Sequence, residues 1–95
     1  MSEPLLLEFW APWCKPCEAL EPVLEALAAR IRVERINADD DPDSAARYDV
    51  LSLPTCVLLV DGVPRATAVG AHSLVWFESW LDEVLPAAEL GGVDA

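Results

Sequence analysis

Leu5 to Cys17 reads L-L-L-E-F-W-A-P-W-C-K-P-C, an apolar run of strand length that ends at Ala11-Pro12 and is followed by two cysteines three positions apart. Leu5, Leu6, Leu7, Phe9 and Trp10 are apolar on both strand parities, the pattern of a central strand covered on both faces. Beyond Pro12 the apolar spacing becomes helical, so the two cysteines sit at the mouth of a helix. Cys14 falls at or beside the N-cap, and Lys15 and Pro16 occupy the first turn, where a missing N–H costs little. Cys17 lies one turn below. Free backbone N–H groups and the helix dipole favour a thiolate at Cys14 by about 0.3–1 kcal/mol, and the charge of Lys15 and hydrogen bonding from Cys17 act in the same direction. A thiolate with a second thiol within bonding distance can attack a target disulfide and then resolve the mixed disulfide.

Outward from this stretch, Leu20, Val23, Leu24, Leu27 and Ile31 continue the helical stripe over residues 15–30, opposed by Glu18, Glu21 and Glu25, with Pro22 inside the helix. Residues 33–37 read as a short second strand. Asp39, Asp40, Asp41 and Asp43 crowd the next loop without the glycine and later glutamate of a calcium loop, so Asp43 or Ser44 is expected to cap a short helix over residues 45–48. Residues 55–60 form a third strand, Asp61-Gly62 a hairpin turn, and residues 65–69 a returning edge strand. The last helix, residues 73–85, buries Leu74, Phe77, Trp80, Leu81 and Val84, and Pro86 ends it. Residues 1–86 make one domain, and residues 87–95 are expected to fray.

F-W-A-P-W-C-K-P-C, V-L-S-L-P-T at Val50 to Thr55, V-D-G near Val60 and V-G-A at Val69 to Ala71 stand in the order of the thioredoxin landmarks, and from Leu5 to Leu85 the chain resembles that family. The resemblance implies an α/β, thioredoxin-like fold: a four-stranded mixed sheet flanked by helices, two on one face and a short one on the other. It implies a protein-disulfide reductase whose redox-active disulfide is Cys14–Cys17, with no other cofactor and no metal. Cys14 would attack and Cys17 resolve. Glu8 matches the buried acid that serves as general base for the inner cysteine, and burial raises a carboxyl group toward that use. The competing reading is that Glu8 merely reaches solvent. Trp13, Lys15, Pro16, Leu53, Pro54 and Gly70 would shape the substrate groove, with a cis bond before Pro54 and the Leu53 backbone pairing with an extended substrate. Electrons would come from a thioredoxin-reductase-like flavoprotein. The chain departs from the family in two places. Lys-Pro replaces the usual Gly-Pro between the cysteines. The usual strand and helix ahead of the first strand find no room in four residues, which predicts a shortened fold with residues 33–37 at a sheet edge and a homodimer through that edge, or a covering C-terminal tail. Arg35 either charges this edge or pairs with Glu8.

Six basic against 17 acidic residues give a net charge of -11, which argues against nucleic acid and anionic membranes as partners and serves either solubility or an acidic docking face. Met1-Ser2-Glu3-Pro4 lacks the basic region of a signal peptide, and three unevenly spaced cysteines do not make a secreted scaffold, so a cytoplasmic protein is expected. Cys56 reads as a small core residue, and a zinc set of Cys14, Cys17, Cys56 and His72 as its rival. Two readings from other classes stand beside the enzyme: a redox-sensitive protein-binding module, and a metal or iron–sulfur carrier using the same thiolates.

Overall fold

The apolar run at the front of the chain becomes the inner strand of a four-stranded sheet in the computed structural model, which describes residues 3–85. The elements follow as β1 (Leu5–Trp10), α1 (Lys15–Leu27), β2 (Arg32–Asn37), α2 (Pro42–Arg47), β3 (Thr55–Val60), β4 (Val63–Val69) and α3 (Leu74–Val84). Sheet order is β2-β1-β3-β4. β1 and β2 are parallel through α1, while β3 is antiparallel to both β1 and β4. This is the four-stranded mixed sheet that the sequence resemblance implies.

Strand parity divides the core. Leu6 of β1, Leu58 and Val60 of β3 and Ala68 of β4 face Leu20, Leu24 and Leu27 of α1 and Phe77 and Leu81 of α3. Leu7, Phe9, Val57 and Leu59 face the other way, with Ala45 of α2 and Tyr48 packed on them. Two helices therefore cover one face and the short helix the other. The short sequence distance between Val60 and Val63 is closed by Asp61 and Gly62, whose φ angles of 56° and 77° are the left-handed pair that matches strand twist in a two-residue hairpin.

Besides shifts of one residue at β2 and α3, three elements differ from the sequence reading. α2 starts at Pro42 and is capped by Asp41, whose Oδ1 accepts from the Ser44 backbone N–H at 3.1 Å, not by Asp43 or Ser44. The missing N–H of Pro42 costs nothing in the first turn. β4 begins at Val63 and includes Pro64, which an edge strand tolerates, and the register shifts between Leu58 and Leu59 beside it. α1 ends at Leu27, three residues before the reading from periodicity, although it passes through Pro22 as that reading has it. Pro86 and residues 87–95 lie outside the described residues.

Candidate active site

Cys14 is the N-cap of α1. Its extended backbone (φ -92°, ψ 104°) turns the chain out of the Ala11–Trp13 loop, and its sulfur accepts from the Cys17 backbone N–H at 3.3 Å, the bond an N-cap makes to the third helical residue. Cys17 lies one turn on, the Cα atoms are 5.3 Å apart, and the two residues form a disulfide. Ala11 and both cysteines make a small buried cluster, with Trp10 and Leu53 packed against it. Of the two, Cys14 keeps the greater exposure, 4% against 1%. The same N–H that caps the helix stands ready for a thiolate once the bond is reduced.

Glu8 does not reach solvent: it is fully buried on β1. It shares strand parity with Leu6 and therefore projects under α1. Its Oε1 accepts from Arg35 Nε at 2.8 Å, and its Oε2 has no hydrogen-bond partner. Burial raises its pKa above the ordinary 4.5, a hydrogen bond and charge from Arg35 oppose the rise, and the charge of Glu21 adds to it. Arg35 answers both readings made of it, since it pairs with Glu8 while standing on the outer strand β2.

The six residues that the resemblance assigns to a substrate groove lie on three segments: the cysteine loop with the first turn of α1, the turn before β3, and the residue after β4. Trp13 is 68% exposed, and its indole N–H donates to Asp39 Oδ2 at 2.9 Å, tying the cysteine loop to the β2–α2 loop. Lys15 and Pro16 are exposed in the first turn of α1. Leu53 packs against the cysteine cluster, the Leu53–Pro54 bond is cis, and Pro54 O accepts from the Gly70 N–H at 2.9 Å. Gly70 has φ 108°, a conformation that side-chain-bearing residues avoid, and this requires glycine more than space does.

A family model described as Thioredoxin matches residues 1–83. The chain belongs to the thioredoxin family. Among its relatives, a thioredoxin of Porphyra purpurea is 40% identical, over 86% of this chain and 80% of that one. A thioredoxin of Haemophilus influenzae is 43% identical, over 72% and 67%. The solved structure of a mutant thioredoxin from Halobacterium salinarum NRC-1 superposes with a TM-score of 0.81 at 33% identity, covering 86% of this chain and 74% of that structure. With the cysteine pair bonded at the helix mouth, this family member is a thiol–disulfide oxidoreductase acting on disulfide-containing proteins.

Three further residues around the thioredoxin site make contacts that the sequence reading does not assign to them. Asp39 reads as one of a solvated run, yet it holds Trp13. Glu21 reads as part of a polar stripe, yet its Oε2 lies 3.5 Å from Arg35 Nη2. His72, weighed in the sequence as a zinc ligand with Cys14, Cys17 and Cys56, bonds through Nε2 to Val69 O at 2.8 Å and stacks on Trp76 at 3.7 Å beside Gly70, just ahead of the Ser73 cap of α3. Cys56 is fully buried in the α1/α3 core, where burial and the charge of Glu8 push its thiol up to about 12. Among the described residues, no three His, Cys, Asp or Glu side chains converge as a metal set, and no helix is long and apolar enough to cross a membrane.

Proposed function

We propose that the protein reduces protein disulfides in the cytoplasm, with Cys14 as nucleophile, Cys17 as resolving thiol and Glu8 as the base for Cys17. The observation that carries this reading is the N-cap position of Cys14, which gives its sulfur a backbone donor and leaves Cys17 inside. Cys14 thiolate attacks a substrate disulfide, and one substrate sulfur leaves. Cys17 then gives its proton to Glu8, its sulfur attacks Cys14 Sγ, the Cys14–substrate bond breaks, and the second substrate sulfur leaves. Two electrons have passed from the dithiol to the substrate. The disulfide is the whole redox equipment of this scheme, and a thioredoxin-reductase-like flavoprotein restores the dithiol. Trp13, Lys15, Pro16, Leu53, Pro54 and Gly70 dock the substrate backbone, supported by the exposure of Trp13 and the packing of Leu53 beside the cysteines.

Insulin reduction driven by dithiothreitol tests the scheme. Turnover well above dithiothreitol alone, abolished by Cys14→Ser and by Cys17→Ser, is expected. A parent no faster than dithiothreitol overturns it. Self-association through the outer edge of β2 belongs to the same reading, because an edge that no strand pairs among the described residues is a template for a second chain, although Arg32, Glu34 and Arg35 charge it. A sedimentation coefficient that rises with concentration supports pairing, and a constant monomer removes it.

A further inference from the structure

Arg35 is shared. Its Nε and Nη2 are the two donors of the side-on guanidinium fork, which can hold both oxygens of one carboxylate. Here Nε goes to Glu8 Oε1, while Nη2 is turned toward Glu21 Oε2 on the second turn of α1. Glu8 Oε2, the oxygen that would complete the fork, is left buried without a partner. The guanidinium carbon lies 4.7 Å from the centre of the Trp10 ring, a cation–π contact that adds to its two carboxylate partners. Arg35 and Glu21, but not the buried Glu8, also line a groove of about 210 Å³ between α1 and β2, together with Leu24, Glu25, Ala28 and Val33.

We propose that Glu21 is a positioning residue for proton transfer at Glu8: it draws one arm of Arg35 into the groove and keeps Glu8 from being locked as a fully paired anion. The inference rests on Glu8 being the base for Cys17. A carboxylate gripped by both fork donors is held strongly in its charged form and makes a poor proton acceptor; a singly held one in a buried site can take the proton. The groups around Glu8 agree with this assignment. Arg35 of β2 lowers its pKa, Glu21 of α1 raises it, and Cys56, its register partner on β3, stays a neutral thiol at physiological pH. Glu25 lines the same groove one turn further along α1, and the cysteine pair stands at the start of that helix.

The test compares the parent with Glu21→Gln and Glu25→Gln, following the Glu8 carboxyl carbon by NMR titration and the pH profile of insulin reduction. In Glu21→Gln, Nη2 closes onto Glu8 Oε2, Glu8 titrates at lower pH than in the parent, and the limb of the rate profile that Glu8→Gln abolishes moves down with it. Glu25→Gln removes an equal charge from the same groove without touching Arg35 and produces the smaller shift. Unchanged titration in Glu21→Gln, or an equal shift in Glu25→Gln, overturns the inference while leaving Glu8 as base. A titration that moves while the rate limb stays overturns the assignment of Glu8 as base and the catalytic part of the inference with it.

Discussion

Glu8 is a carboxylate inside an apolar strand, and its cost is readable as pH dependence. Because burial outweighs Arg35 and raises its pKa above 4.5, the folded state binds the Glu8 proton more tightly than the unfolded chain. Its contribution to stability is therefore fullest below the ordinary carboxylate range and is lost as pH rises through it toward the folded value. Glu8→Gln should remove that loss: urea midpoints from pH 4 to 8 are expected to show the variant gaining on the parent as pH rises, with similar m-values. A variant that loses ground instead would mean that Arg35 prevails. Lys15 carries a second prediction. Its charge in the first turn favours the reduced, thiolate form, and because Lys15 itself is exposed the attraction is worth about 0.2–1 kcal/mol, so Lys15→Gly should lower the reduction potential by about 4–20 mV. Equilibration with glutathione reads the change, and a rise would refute the assignment. Glu8, Cys14 and Cys17 are legible in the sequence because they break or end a pattern within one stretch. Glu21 is not, since its importance comes from Arg35, a residue on another element that no helical spacing brings near it.

Among the elements, α3 shows how a local signal sets packing near the site. Ser73 caps it by accepting the Trp76 N–H at 3.1 Å, which fixes the first turn where Trp76 stacks between His72 and Trp80. Ser73→Ala should cost about 1 kcal/mol, lowering Tm by about 4–8 °C for a domain of this size. Calorimetry checks it, and a shift within error would mean that the aromatic stack alone holds the turn. The helices α1 and α3 can be read from their periodic apolar positions, because Leu20, Leu24 and Leu27 of one and Phe77 and Leu81 of the other face the same core. α2 is too short for periodicity to decide its start. Its cap has to be chosen among neighbouring carboxylates, and the deciding residue is Pro42, which fits the first turn and needs its cap directly before it. β4 starts two residues earlier than its pattern suggests, because Pro64 argues against a strand wherever its edge position is unknown.

For the whole molecule, local patterns determine a parallel β1–α1–β2 unit and a β3–β4 hairpin, but not where the hairpin docks. That β3 lies beside β1, bringing the Leu53–Pro54 turn and Gly70 to the mouth of α1, follows from the ordered landmarks of the thioredoxin resemblance and not from periodicity. The net charge of -11 acts at this scale too, since it belongs to no single element. Its field reaches about 30 Å at 0.01 M salt and about 10 Å at 0.1 M, so at low salt it acts on a substrate before contact. Lys15, beside Cys14, has the opposite sign but the reach of a single charge. Two disulfide peptides that differ only in flanking lysines or glutamates separate the two influences. The basic peptide should be reduced about 10-fold faster in kcat/KM at 0.01 M salt, with the advantage shrinking as salt rises and the kcat values staying close, because steering changes encounter and not chemistry. If the acidic peptide is preferred at low salt, the local charge at the helix mouth governs docking, and the acidity of the chain serves solubility alone.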